Sequence, residues 1–295
     1  MNKENFLKIS KDYIALTKPK VISLLLVTAI SGMFLANGST PSLILIIIII
    51  VGGTLASGGA GAINHFIDKD VDQLMKRTSN RPVASNRVTP KKALSFGVFL
   101  TILSFIILYF GSNFLAAILA ILGNVFYVFI YSLWLKKTTS HNIVIGGIAG
   151  CFPPLVGWAA VTGSLSLPAW YLFAIIFFWT PPHFWALAML MNEDYKEAKI
   201  PMLPTIIGFR KTQIMILTHT IILIALTLAL TIVSSNLGII YLLGSIILGV
   251  MYLNYTIRLI VKYTTKKNLG LYKFSLLYLF LICMTIIIDS SNIIG

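Results

Sequence analysis

Nine apolar stretches constrain this chain more than any other feature. They run over residues 21–37, 43–62, 93–110, 114–135, 143–161, 170–191, 214–233, 237–255 and 271–288. A helix needs about 20 mostly apolar residues to cross the hydrocarbon core of a bilayer. The apolar residues are continuous, and residues 42–51 are nearly pure leucine and isoleucine. The strands of a membrane β-barrel would alternate instead. The expected fold class is therefore all-α: a polytopic membrane protein with nine transmembrane helices. Composition closes the other routes. Of the 295 residues, 57% are hydrophobic and 11% charged, against about 25% charged in a soluble domain. Cys151 and Cys283 lie far apart in apolar runs, without metal-ligand spacing, and read as core thiols. No signal or transit peptide is expected, because residues 1–20 carry Lys but no Arg and make a poor amphipathic presequence.

The net charge is +14, from 23 Lys and Arg against 9 Asp and Glu. In a soluble protein that excess would suggest nucleic acid. Placed along this chain, it describes topology. Every basic residue falls in residues 1–20 or follows the second, fourth, sixth or eighth stretch. The loops after the odd-numbered stretches carry none. By the positive-inside rule, residues 1–20 form a cytoplasmic tail and the C-terminus lies outside. The expected partner is the lipid bilayer, with no nucleic acid. Of the acids only Asp289 falls on the outer side, so the chemistry belongs on the cytoplasmic face. No soluble domain is visible, and residues 1–295 read as one domain. Small-residue clusters at Gly58, Gly59 and Gly61, and at Gly146, Gly147 and Gly150, suit close helix contact.

The sharpest motif closes the second stretch. Asn64, Asp68 and Asp72 stand at i, i+4 and i+8. On a helix they drift only about 40° per step and share one face. Three oxygen-bearing side chains on one stripe can hold Mg²⁺, a hard cation that keeps waters and bridges to phosphate. The plainer reading is a solvated helix end balanced by Lys69, Lys76 and Arg77. Ionisable groups at the mouth of an apolar bundle favour a site. Arg77 and Arg81 are four apart and share a face if the helix continues. Their guanidinium forks suit phosphate oxygens, although simple membrane anchoring would need only their charge.

A second cluster, Asn192-Glu193-Asp194-Tyr195-Lys196-Glu197, begins 128 residues after Asn64. Each cluster follows an apolar stretch and leads to a proline, Pro82 or Pro201, which hints at two related halves facing one cavity. The sixth stretch contains Trp179-Thr180-Pro181-Pro182-His183-Phe184-Trp185. Its prolines free backbone carbonyls and predict a kink. His183 beside them reads as a cofactor contact, a proton carrier or a structural histidine. His65 and His141 are weaker candidates.

These residues together resemble the UbiA superfamily of intramembrane prenyltransferases, and within it the branch that farnesylates heme. The resemblance extends over most of the chain. It rests on Leu16-Thr17-Lys18-Pro19-Lys20-Val21, on Asn64 to Asp72 with Arg77-Thr78 and Arg81-Pro82, and on Tyr131 to Lys137. It continues through His141 to Gly147, Phe152-Pro153-Pro154, Trp179 to Ala188, Asp194-Tyr195-Lys196 and Pro201 to Pro204. It implies a UbiA-type bundle that uses farnesyl diphosphate and heme B to make heme O, the precursor of heme A for terminal oxidases. It also points to heme A synthase or oxidase assembly proteins as partners. By this resemblance Asn64, Asp68, Asp72 and Asp194 are the catalytic and Mg²⁺-binding residues. Arg77, Arg81, Lys136, Lys137 and Lys196 bind diphosphate, and His183, Trp185 and His65 contact heme. Two positions depart from the wider pattern. His65 stands where many relatives carry Asp, and Ala198 stands four residues after Asp194 where a second Asp is common. The second metal site is then incomplete, or Glu193 or Glu197 helps.

Two other functions fit parts of this pattern. A related transferase would prenylate an aromatic quinone precursor. A transporter of an anionic substrate would also need charge at membrane depth, but it would open polar groups to both faces. The outer side here has no Lys or Arg.

Overall fold

The structure, a computed structural model, describes residues 3–291, with side chains from residue 7 onward. The C-terminal residues expected outside the membrane, and the side chain of Lys3, lie outside the described residues. The regular secondary structure of the described residues is helical, with nine helical runs long and apolar enough to cross a membrane. It is a multi-pass membrane protein.

Residues 3–17 form α1 (Lys3–Thr17), so the expected tail is largely a helix. It packs on the following spans rather than trailing free. Leu16 is fully buried, Tyr13 meets Phe96 edge-on at 4.9 Å, and Asp12 pairs with Arg87 at 2.9 Å. The first three long helices are α2 (Pro19–Asn37), α3 (Leu43–Ile67) and, beyond the short α4 (Lys69–Leu74), α5 (Pro90–Gly111). Ser42 caps α3 by accepting from Leu45 N–H at 3.3 Å. Helix α3 runs five residues past its apolar stretch, which carries Asn64 and His65 into regular helix.

The fourth span changes character midway. It begins as α6 (Phe114–Val125), becomes a π-helix over Phe126–Leu135, and ends as the single turn α7 (Lys136–Thr138). The fifth is likewise composite: α8 (Asn142–Gly146), a 3₁₀ segment Gly147–Cys151, then α9 (Phe152–Thr162). Helix α10 (Leu167–Leu190) stays one continuous helix through Pro181 and Pro182. Thr180 Oγ bonds back to the Ile176 carbonyl at 2.8 Å just before them. Beyond it come α11 (Asn192–Glu197), α12 (Leu203–Ile207), α13 (Phe209–Val233), α14 (Ile239–Val261) and α15 (Thr265–Ser290).

Helices α2, α3, α5, α6 and α9 pack as one group, and α10, α13, α14 and α15 as another. Contacts of α2 with α15 and of α10 with the fifth span join them. Glycine makes the closest approach possible. A Cβ on Gly59 of α3 would stand 2.7 Å from the Gly97 carbonyl of α5, leaving no room for a side chain. A second apolar cluster lies at the site end of the bundle. It joins Val71 and Met75 to Ile143, Ala188, Tyr195, Ile200 and Met202. Val71, between Asp70 and Asp72, thus anchors the first acidic motif against the second loop.

Candidate active site

The stripe survives a break in the helix. Helix α3 ends at Ile67 and α4 starts at Lys69, with Asp68 between them at φ −91° and ψ 5°. Helical spacing persists because Asp68 N–H donates to the Asn64 carbonyl at 2.9 Å and Asp72 N–H to the Asp68 carbonyl at 2.8 Å. Asn64, Asp68 and Asp72 are all buried, at 1–2% exposure. Buried carboxylates require partners. Asn64 Nδ2 donates to Asp68 Oδ2 at 2.8 Å, and Lys136 Nζ reaches the same oxygen at 2.5 Å. Arg81 grips both oxygens of Asp72 at 2.9 Å. The other oxygen of Asp68, Oδ1, is buried without a partner.

The π-helix makes this meeting possible. Its i→i+5 bonding gives more than four residues per turn. Tyr127, Ser132 and Lys136, spaced by five and four, therefore fall on one face. In an α-helix a step of five turns the side chain by about 140°. Ser132 Oγ accepts from Asn64 Nδ2 at 3.0 Å. Tyr127 Oη accepts from Lys18 Nζ at 3.4 Å. The rings of Tyr127 and Tyr131 lie 5.6 Å apart beside the stripe. A Cβ on Gly146 would collide with the Tyr131 ring, so that glycine lets the fifth span approach.

Lys18 is the functional candidate that sequence reasoning missed. It sits between α1 and α2 at φ 57° and ψ 58°, uncommon for a residue with a side chain. Its Nζ donates to Asn64 Oδ1 at 2.5 Å. Burial lowers its ammonium to about 7; Arg81 and Lys136 push the same way, while Asp68 and Asp72 oppose them. The signal was the Lys18-Pro19 pair. A lysine counted among tail charges stood before a proline, where ordinary helix is disfavoured. Asn142 was also passed over. Its Nδ2 donates to the carbonyls of Lys136 at 3.4 Å and Pro201 at 3.3 Å, tying the Lys136 turn to the second loop.

The two arginines do not share a helical face. Helix α4 stops at Leu74, and Met75 is extended at φ −95° and ψ 125°. The chain then folds through successive turns, in which Thr78 Oγ donates to the Asp72 carbonyl at 3.0 Å. Arg81 returns to Asp72, while Arg77 lies near the Tyr195 hydroxyl. Arg77 thereby stands between the two loops. Burial raises the Tyr195 hydroxyl pKa, and Arg77 opposes that shift.

The second cluster is less engaged. Asp194 is half-buried and makes no ion pair among the described residues. Lys196 is exposed and pairs with Glu193 at 3.1 Å. That hydrogen bond holds the Glu193 carboxyl below its usual value. Lys137 is exposed within α7 and makes no ion pair with the stripe that Lys136 joins. Ala198 is buried against Val71 and Tyr195, so its position packs rather than ligates.

The histidines separate into different environments. His183 lies sandwiched between Trp179 and Tyr272, with ring centroids 4.6 and 4.9 Å away. Its Nδ1 shares a 2.7 Å hydrogen bond with Ser275 Oγ, whose own proton goes to the Tyr272 carbonyl at 2.7 Å. Nδ1 is therefore the donor, and neutral His183 keeps a lone pair on Nε2. Trp185, two residues on, points about 200° away on the helix. It meets His219 edge-on at 5.0 Å, and the structure does not bring it to His183. His65 is buried beside the stripe with neither ring nitrogen partnered.

The sequence profile of the UbiA prenyltransferase family matches residues 25–282. The chain belongs to the UbiA prenyltransferase family. A protein from Trichodesmium erythraeum named protoheme IX farnesyltransferase is 47% identical over 288 residues, 97% of this chain and 88% of that one. One of the same name from Thermus thermophilus is 47% identical over 279 residues, 95% of this chain. The chain spans about half the length of that relative, 46%. Among solved structures, a UbiA homolog from Archaeoglobus fulgidus bound to DMAPP and Mg²⁺ superposes with a TM-score of 0.67 at 15% identity. That match covers 94% of this chain and 99% of the homolog, and at this identity it carries the UbiA fold alone.

Proposed function

We propose that this chain transfers the farnesyl group of farnesyl diphosphate to the vinyl group of heme B, with one water then adding to the resulting cation, giving heme O and diphosphate. The observation that carries the reading is near-full-length similarity to the Trichodesmium protein, 47% over 97% of this chain. The acidic and basic cluster at the end of α3 supplies the chemistry that such a reaction demands.

Ionising the allylic C–O bond produces a diphosphate anion and an allylic cation. The site must stabilise the first and keep water from the second. Lys136 and Arg81 are the cations aimed at the stripe, and Arg77 stands at the loop junction. The faces of Tyr127 and Tyr131 offer a dry, electron-rich wall for the allylic cation. The farnesyl chain lies between helices, and the heme propionates meet exposed cytoplasmic bases such as Lys137 and Lys196. His183 Nε2 is the ring atom left to contact heme.

The residues fit a divalent metal. Asn64, Asp68 and Asp72 offer the oxygen donors Mg²⁺ prefers, and Asp68 Oδ1 is a buried oxygen still without a partner. These residues, with Asp194, would hold Mg²⁺, which would supply Lewis-acid neutralisation of the departing diphosphate. The whole chain acts as one transmembrane domain in the cell membrane. Its N-terminus is cytoplasmic, its C-terminus outside, and its site opens to the cytoplasm.

The test incubates membranes containing the protein with heme B, farnesyl diphosphate and Mg²⁺. The expected product has the mass of heme O. A prenylated aromatic acceptor in place of heme O would favour the quinone-precursor reading. Unchanged turnover in both Asp68→Ala and Asp72→Ala would remove the stripe from the mechanism.

A further inference from the structure

Each stripe residue is held by a cation of the chain itself. Lys136 and Arg81 face carboxylates, where a cation is expected. Lys18 is different: its Nζ sits 2.5 Å from the oxygen of a neutral amide, Asn64 Oδ1. The amide is locked in that orientation because its nitrogen donates to both Asp68 and Ser132. Asn64 therefore presents its single oxygen to Lys18. A metal ion on that oxygen would stand close to the ammonium, and repulsion between the two positive charges sets them in competition for it.

We infer that Lys18 gates the metal site, competing with a divalent cation for Asn64 Oδ1 until diphosphate draws the ammonium away. The inference rests on the proposed reading of the stripe as a metal–diphosphate site. Charge makes the order of binding follow. In its ammonium form Lys18 joins Lys136 and Arg81 as a third cation facing two carboxylates. A bare divalent ion would deepen that positive excess in a poorly solvated site, where like charges repel strongly. A diphosphate reverses the balance by bringing several negative charges. It also gives Lys18 an anionic acceptor in place of a neutral amide, adding charge–charge attraction to the hydrogen bond. Metal and diphosphate therefore bind together, and the metal alone binds weakly.

The test uses the full chain in lipid nanodiscs with Mn²⁺ as the probe. Free Mn²⁺ is read by electron paramagnetic resonance, with and without inorganic pyrophosphate, and corrected for the Mn²⁺–pyrophosphate complex. In the parent, pyrophosphate should tighten Mn²⁺ binding within the usual coupling range of about 5–150-fold. Lys18→Met and Lys18→Gln should each tighten binding of Mn²⁺ alone by about fivefold or more and shrink the coupling by the same factor. Tyr127→Phe, which removes only the hydroxyl near Lys18, should shift binding the same way by less. Unchanged or weaker Mn²⁺ affinity in folded Lys18 variants overturns the gate. If Asp68→Asn abolishes Mn²⁺ binding while the Lys18 variants gain nothing, only the gate falls. If Asp68→Asn leaves Mn²⁺ binding intact, the metal reading of the stripe falls with it.

Discussion

Lys136 Nζ lies 2.5 Å from Asp68 Oδ2, joining the end of the fourth span to the end of the second across 68 residues. The carboxylate side chain is 1% exposed and the lysine 13%. The pair neutralises a charge that neither helix could bury alone. Removing one partner of such a pair costs far more than removing both.

Lys136→Ala should therefore destabilise the protein by about 3–5 kcal/mol and abolish heme O formation. Asp68→Asn with Lys136→Met should recover most of the stability but none of the turnover. Thermal unfolding in detergent, set beside product yield, separates the two effects. Equal stability of the single and double variants would show that the pair is not what Asp68 depends on.

Arg81 holds Asp72 through both carboxylate oxygens at 2.9 Å. Both contacts come from one guanidinium nitrogen, Nη1, so Arg81→Lys keeps the charge while its shorter side chain draws the donor back. Losing one charge-assisted hydrogen bond, about 1.5–3 kcal/mol, should lower turnover roughly 10- to 100-fold. Arg77→Lys should cost less, because Arg77 lies near Tyr195 rather than on the stripe. A larger loss at Arg77 than at Arg81 would invert the assignment.

The π-helix should be as necessary as the residues it carries. Inserting one alanine after exposed Phe129 makes the Tyr127-to-Ser132 spacing six, which takes Ser132 and Lys136 off the face of Tyr127 in either helix type. Activity should fall below that of Ser132→Ala, which loses only the 3.0 Å contact to Asn64. Heme O yields from matched amounts of folded protein test the ranking. A fully active insertion would show that the register set by the π-helix is incidental.

His183 and the stripe should separate in binding experiments. His183→Ala should weaken heme B binding, read from the Soret band, and leave Mn²⁺ binding unchanged. Ser275→Ala, which frees Nδ1, should perturb the heme spectrum less. Unaltered heme binding in His183→Ala would make the Trp179–His183–Tyr272 stack purely structural.

Asp194 lacks the partners that Asp68 and Asp72 have among the described residues. Asp194→Asn should therefore reduce turnover less than Asp68→Asn or Asp72→Asn does. Parallel rates under saturating Mg²⁺ decide it. Equal losses would place the second loop on the same footing as the first.

Local periodicity explains what could be read from the chain alone. Spanning helices need only continuous apolar length, so nine spans and the one-sided basic charge were legible before any contact was known. The stripe was legible too, because i, i+4 and i+8 define a face from helix geometry even where the backbone breaks at Asp68. The arginines show where that logic stops. Their spacing of four implied a shared face only in a helix, and the chain after Leu74 turns instead, sending Arg81 and Arg77 to different neighbours.

Everything that required two distant segments to meet was decided by tertiary structure. Lys18 is 46 residues from Asn64, and in the sequence it was one basic residue among several in residues 1–20. Ser132 and Lys136 looked like parts of an ordinary spanning helix, because apolar content does not distinguish i→i+4 from i→i+5 bonding. The residues by themselves determined a nine-span membrane bundle with acids and bases gathered at one end. Packing determined which cation holds which oxygen, because buried charges settle on the nearest partners the folded backbone allows.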